Sequence, residues 1–347
     1  MCIAGGKRCE YADALSNVRK KVRNRMKGAY SGDIDNEISK ELGKFHRENP
    51  DLVKAHLPDR MGFQWNPPAW DVPERAKSLL GDIKEPVRGV EKQSDLYSSL
   101  TKRNEEWEEN MTMDEKNAMI QYTMSAFESI NPYLRRKGFS EWAKKNGHLH
   151  RSEGGVQKYV EDVIKPRIAA MDSAMRRAVK PETPDTLYRF YRVPAGITPR
   201  EYIKKYFKPG TGFKDKGFVS TSADPEYVAA HIMDREGKRN SNYIVLEMVS
   251  DSGASLHNAP EYSGRVQDVE SEVLLPRNTG MRIMETGTRT FGFAKKRADL
   301  ERRFRVFGGS SIDFDEDSSI KVPVVRMIDE SLIRRARHDE RADEATT

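Results

Sequence analysis

A single change of texture near residue 185 does most to limit the folds open to this chain. From about Leu96 to Val179 apolar residues recur at helical spacing; beyond Pro181 and Pro184 the chain reads as a series of short strands. Thr112-Met113-Asp114-Glu115 has the form of a capping box, and behind it Ile120, Met124, Phe127, Ile130 and Leu134 make one stripe that stops at Gly138. A second helix is expected over Val156–Val179, with Val160, Ile164, Ile168, Met171 and Met175 on its apolar face and Pro166 kinking or splitting it. Strands are expected at Thr186–Val193, Gly217–Thr221, Tyr243–Val249, Glu270–Leu275, Met281–Glu285 and Ile320–Met327, the fourth and fifth joined by the turn Pro276–Gly280. Helices first and strands afterwards predict an α+β fold with segregated elements, not a doubly wound sheet.

Charge narrows the class of partner. The 347 residues carry 60 basic and 54 acidic side chains, a net charge of +6, and residues 1–30 hold the whole excess with eight basic and two acidic residues. The remainder is balanced, which argues against a nucleic-acid groove spread over the body. The run Arg19–Lys27 is the place for a polyanion contact, although most such runs are solvated faces or tails. No stretch approaches the roughly 18 apolar residues of a membrane span, and charges interrupt Met1–Arg25 where a secretory signal would need an apolar core. Cys2 and Cys9 are too few for a disulfide framework and lack zinc-site spacing, so no metal is expected and reduced thiols in a cytoplasm-like compartment are. Residues 1–95 read as a basic arm and leader, with a helical segment at Glu37–Phe45 and a loop at Trp65–Trp70. Residues 96–330 form the main domain, and 331–347 a charged, frayed tail.

Three small features in the strand region carry chemistry when taken together. Glu270-Ser271-Glu272 puts two carboxylates on one face of a strand, so that one can stabilise positive charge while the other accepts a proton. Alone, such a pair is usually a solvated strand face. Ser220-Thr221-Ser222 ends a short apolar strand, either as a turn motif or as hydroxyls that orient a neighbouring carboxylate. Arg189 stands in the apolar strand Leu187-Tyr188-Arg189-Phe190, where a guanidinium needs a carboxylate or a ligand phosphate; Arg192 competes for that role.

In this order the features resemble the mono-ADP-ribosyltransferases of the arginine/serine/glutamate class, and most of all the catalytic domains of binary toxins and insecticidal toxins. Upstream, Tyr122-Thr123, Phe127, Ile130-Asn131 and Leu134-Arg135 match the family's first-helix pattern, and the likeness extends from about Leu96 to Ile328. The resemblance implies the ADP-ribosyltransferase fold, with a helical part followed by a core of two packed, mostly antiparallel sheets. It implies NAD as co-substrate and no metal. Glu272 would bond the ribose and stabilise an oxocarbenium ion as nicotinamide leaves, Glu270 would engage the acceptor, and Ser220 would hold Glu272. Arg189 would grip the NAD phosphates, with Tyr122, Asn131 and Ser220 at the cofactor and Tyr227, or His231 by spacing, as the aromatic beside nicotinamide.

A guanidinium acceptor needs a carboxylate to orient it and take its proton, so Glu270 favours an arginine side chain of a target protein over asparagine or a nucleic-acid base. The competing readings are modification of nucleic acid or a small molecule, NAD hydrolysis alone, and a non-catalytic binding module. A toxin or effector acting in the cytoplasm, or delivered into a target cell, is the expected setting.

Overall fold

The computed structural model describes residues 72–87, 93–146, 154–194, 196–232, 242–256, 271–292 and 319–346, together with 20–27, the strand Phe63–Trp65 and scattered positions between 17 and 48. Glu270 and most of the Trp65–Trp70 loop lie outside the described residues.

The helical part follows the sequence pattern with two adjustments. Helix α1 (Glu74–Lys77) precedes the long α2 (Gln93–Glu109). Thr112 caps α3 (Met113–Gln121) as expected, its Oγ1 accepting from the Glu115 amide while Glu115 Oε2 accepts from the Thr112 amide at 2.8 Å. A wider π-helical turn at Tyr122–Ala126 then leads into α4 (Phe127–Leu134), and α5 (Phe139–Lys145) follows. The second expected helix is two, α6 (Gly155–Tyr159) and α7 (Lys165–Arg176), joined by a π turn at Val160–Ile164. Pro166 sits in the first turn of α7, where a missing N–H costs least.

The strands are β1 (Phe63–Trp65), β2 (Asp185–Arg192), β3 (Gly212–Lys214), β4 (Val219–Ser222), β5 (Tyr243–Ser250), β6 (Ala254–Ser255), β7 (Glu272–Leu275), β8 (Gly280–Gly292) and β9 (Ser319–Asp329). Helices α8 (Pro199–Tyr206), α9 (Pro225–Ile232) and α10 (Glu330–Thr346) complete the described chain. The hydrogen-bonded order is β1-β3-β8-β9-β5-β2-β4-β7-β6, antiparallel throughout except for β5 beside β9. The α+β class holds. The two expected sheets are not separate, because the strands form one order whose weakest joint is β2–β4, paired only at Tyr188↔Ser222. Strand β8 runs well past the expected Met281–Glu285, since Glu285–Gly292 continues to pair with β9.

Two apolar layers fix where that joint lies. Leu187, Leu246, Val273, Ile283 and Val325 on one side of the sheet pack under Tyr202, Ile203 and Phe207 of α8 and its C-terminal end. Met119, Tyr122, Ile130, Ile164 and Met171 of the helices pack against Phe218 and Leu274. Each large side chain buried in this way is worth about 1.5–3 kcal/mol, so the helices are held firmly against β4 and β7.

The chain ends of the main domain are also built in. Val87 bridges to Phe291, and the carbonyls of Leu80, Gly81, Asp82 and Glu85 accept from Arg326 and Arg289 of the sheet. The boundary expected at residues 95/96 therefore crosses the packing of residues 72–87. The tail expected to fray is helix α10, whose Leu332, Ile333 and Ala336 pack on Ala76, Val249 and Ile328. No described helix is long and apolar enough to cross a membrane.

Candidate active site

Where β2 and β4 part, Arg189 fills the gap. Beyond Tyr188↔Ser222 no ladder bond joins the strands, and Arg189 Nη1 instead donates to the Ser220 carbonyl at 2.5 Å. The guanidinium is half-buried, and among the described residues no carboxylate lies within ion-pair distance of it. Burial pulls its pKa below the ordinary arginine value, while the charges of Asp215 and Glu272 push the other way. A partly desolvated cation bonded to a carbonyl, with no described carboxylate in ion-pair distance, is suited to an anionic ligand.

Glu272 opens β7 and is only 8% exposed. Register sets it directly opposite Ser222 and sets Leu274 opposite Ser220. Ser220 and Glu272 thus share a face as diagonal neighbours, about 7–8 Å apart by strand geometry, so Ser222 is the nearer of the two serines. Ser222 is also tied into the turn that follows, its Oγ accepting from the Asp224 amide at 2.9 Å. Thr221 on the opposite face donates to the Val273 carbonyl and locks β4 to β7. Just before Glu272, the fully buried Ser271 takes φ +43°, a left-handed conformation that non-glycine residues adopt at a cost. That kink sets the direction in which the chain enters β7. Nothing in the local sequence signals it.

Tyr122 and Asn131 meet inside the helical layer. Asn131 Nδ2 donates to the Tyr122 hydroxyl at 2.9 Å, and Asn131 Oδ1 accepts from the Phe218 amide at 3.0 Å. Tyr122 is 3% exposed, and its hydroxyl also reaches the Phe218 carbonyl at 3.5 Å. Burial raises the Tyr122 pKa, the Asn131 hydrogen bond opposes this, and the nearby charge of Glu272 raises it further. These two residues, expected at the cofactor, are seen fixing the residue that leads into Val219–Ser222. Glu272, Arg189 and Tyr122 are thereby brought within electrostatic reach of one another.

Sequence reasoning missed a second brace beside this one. Arg135 holds Asp215 in a two-pronged pair, Nε to Oδ1 at 2.7 Å and Nη2 to Oδ2 at 2.8 Å, and Asp215 Oδ1 also accepts from the Gly217 amide. Leu134-Arg135 is part of the helix pattern, but a partner 80 residues away is invisible to spacing. A Cβ on Gly217 would stand 2.5 Å from Asn131 Oδ1 and 3.1 Å from Arg135 Nη2. Gly217→Ala is therefore expected to break the Asn131–Phe218 bond, lowering stability by about 1–3 kcal/mol. Urea melts check this, and an unchanged melt would show that the brace does not hold Phe218 in place.

Tyr227 lies on α9, buried with Tyr188, Val245 and Phe291 and in ring contact with His231 at 4.4 Å. His231 in turn stacks on Phe190 at 5.0 Å. The Asp224 carboxylate accepts from the Glu226 and Tyr227 amides at the start of that helix. The second carboxylate of the pair, Glu270, lies outside the described residues, as noted. Among the described residues no cluster of His, Cys, Asp and Glu could hold a metal ion. Two cavities, of about 420 and 340 Å³, lie elsewhere, one at Asp172, Asp251 and Arg277 and the other between α8 and β8.

A family model described as ADP-ribosyltransferase exoenzyme matches residues 100–301. No curated protein matches the sequence. Among solved structures, the chain is similar to the enzymatic component C2-I of the C2 toxin from Clostridium botulinum, with 16% identity over 66% of this chain and 45% of that one and a TM-score of 0.40. The chain thus spans under half the length of C2-I. It is also similar to Plx2a, an ADP-ribosyltransferase toxin from Paenibacillus larvae (20% identity, 72% and 99% of the two chains, TM-score 0.40). A third is Vis toxin, an ADP-ribosyltransferase from Vibrio splendidus (17% identity, 72% and 91%, TM-score 0.39).

Proposed function

The chain belongs to the ADP-ribosyltransferase exoenzyme family, and from that premise we propose that it transfers ADP-ribose from NAD to arginine side chains of a target protein. The observation that carries this reading is Arg189, a partly desolvated guanidinium with no carboxylate in ion-pair distance among the described residues, held beside the strand pair that presents Glu272. It supplies the positive charge a diphosphate needs, and Glu272 the negative charge a developing ribosyl cation needs.

In this mechanism the bond between ribose C1′ and the nicotinamide nitrogen breaks, and its electron pair leaves with nicotinamide. Positive charge grows on the ribose, and Glu272, fixed by β7 and largely shielded from water, stabilises it. The acceptor guanidinium then attacks C1′ through a nitrogen lone pair while Glu270 takes the proton released from that nitrogen. Ser220 orients Glu272 along the shared face, and Tyr122 and Asn131 keep the β4 strand in register with it. Tyr227, with His231, stands for the aromatic wall of the nicotinamide site. The family setting supports a toxin or effector that works inside a target cell, and the basic run at residues 19–27 is its candidate polyanion contact, with Arg25 already shared with Glu37 at 2.7 Å.

Glu270→Gln tests the division of labour. The variant is expected to keep NAD hydrolysis within a few-fold of the parent while losing transfer to arginine by about a hundredfold or more. Nicotinamide release and mass-spectrometric mapping of modified side chains measure the two activities separately. Equal loss of both, or modification mapped to residues other than arginine, would overturn the assignment.

A further inference from the structure

The cavity of about 340 Å³ between α8 and the middle of β8 is lined by Arg200, Lys204 and Lys208 on one wall and by Thr286, Thr288 and Pro323 on the other. Arg200 and Lys204 stand one turn apart in α8 and share a face, Lys208 follows just past the end of the helix, and Ile203 and Phe207, packed into the core, line the cavity beneath them. Among the described residues no acidic side chain lines the cavity. The nearby acids are engaged elsewhere: Glu201 with the Thr198 amide and hydroxyl, Glu285 with Arg326, and Asp215 with Arg135. Among the described residues no carboxylate pairs with Arg200, Lys204 or Lys208.

Helix stability explains only part of this. Lys204 lies in the last turn of α8, where a cation complements the helix dipole, but Arg200 lies in the first turn, where it opposes the dipole. An arginine there, facing two lysines of like charge, is unfavourable for folding and understandable if an anion is to bind. We propose that this groove docks an acidic, extended segment of the target protein, a reading that rests on the chain acting on a protein acceptor. Cations four residues apart on a helix are separated by about 6 Å along its axis, and carboxylates on alternate residues of an extended chain by about 6.6 Å. The threonine hydroxyls add neutral donors. Among the described residues the lining exposes no aromatic face for stacking bases, since Phe207 is buried, which favours a peptide over single-stranded nucleic acid. β8 lies five strand positions from β7 in the sheet order, and neither Glu272 nor Arg189 is among the residues that line the groove, so it selects the acceptor without touching the reacting atoms.

The experiment measures binding of a fluorescein-labelled peptide of alternating Glu and Ser to the full chain by anisotropy, at low and high salt. It is repeated with R200E/K204E/K208E and with the neutral R200Q/K204Q/K208Q, after matching their circular dichroism and melting to the parent. Binding that weakens with salt, falls roughly tenfold or more in the charge-reversed variant and lands between the two in the neutral one is the expected result. NAD hydrolysis and modification of agmatine, a free guanidine, should stay unchanged in both variants. Equal peptide binding by parent and variants overturns the proposal, as does a labelled oligodeoxythymidine that binds more tightly than the peptide and depends on the same three residues. Peptide binding that behaves as expected in a chain without NAD turnover overturns the enzymatic reading and leaves the docking groove standing.

Discussion

Glu272→Gln should lower nicotinamide release and ADP-ribose transfer together, by roughly a hundredfold to a thousandfold, with little change in the apparent affinity for NAD. The substitution keeps size and hydrogen-bonding capacity at a site that is 8% exposed and removes only the charge. A fixed negative group facing a cation that develops at the transition state is worth more there than in the ground state, about 2.7–4 kcal/mol for a preorganised contact of this kind. In the proposed mechanism binding in the ground state rests on Arg189, which the substitution leaves in place. The comparison with Glu270→Gln is the sharper form of the test: one variant should lose both activities and the other only transfer. A Glu272→Gln protein that releases nicotinamide at the parent rate would exclude Glu272 as the stabilising carboxylate. A thermal melt within a degree or two of the parent is part of the expected result, because the backbone pairing of β4 with β7 and the Thr221–Val273 bond stay in place.

Much of this arrangement was legible in the sequence, and the misses share a cause. Arg189 stood out because a guanidinium in an apolar strand needs a reason; it lies in β2 as expected, and its described bond is to the Ser220 carbonyl. The stripe Ile164, Ile168, Met171 and Met175 is buried as expected. The stripe Ile120, Met124, Phe127, Ile130 and Leu134 is only partly so: Ile130 is buried and Ile120 and Leu134 pack against the core, but Met124 and Phe127 are 66% and 41% exposed. Met119, Tyr122, Ala126 and Ile130, also three and four residues apart, form the buried face instead. Two apolar stripes overlap along this segment, and spacing alone does not say which of them meets the core. The second half of β8, Glu285–Gly292, carries threonines, glycines and an arginine that look like a loop, and only pairing with the distant β9 makes it a strand. Asp215 is likewise explained by Arg135 from another element, and Ser271 by the direction β7 must take. Local pattern exposes what a residue demands of its surroundings. It does not reveal which distant group answers.

The largest stability effect is expected at such a distant group, Glu247 in the middle of β5. Its carboxylate lies almost wholly buried between Arg326, which is 0% exposed, and Arg289, with Arg326 Nε at 2.9 Å and Arg289 Nη1 at 2.6 Å. Glu285 takes a second edge of Arg326 at 2.5 Å, and backbone carbonyls from Leu80 to Glu85 take the remaining donors. Glu247→Ala leaves two guanidinium groups facing each other with one partly exposed carboxylate between them and their charges out of water. Loss of one partner from a buried pair costs about 3–5 kcal/mol, whereas an exposed, solvent-screened pair such as Lys165–Glu161 contributes little. Urea unfolding should therefore show a lower midpoint with an unchanged slope, while Glu161→Ala barely moves it. The same two arginines hold residues 80–85 to the sheet, so protease cleavage between Leu80 and Glu85 should quicken in the Glu247 variant before the rest of the domain opens. Removing all three charges together (Glu247→Leu, Arg289→Met, Arg326→Met) should recover part of the lost stability, because the penalty comes from uncompensated charge and not from lost attraction. It should not restore resistance to cleavage, since methionine cannot donate to the Leu80 and Gly81 carbonyls. If the triple variant regained both, the arginines would be mere space-fillers and residues 72–87 would be held by apolar packing alone.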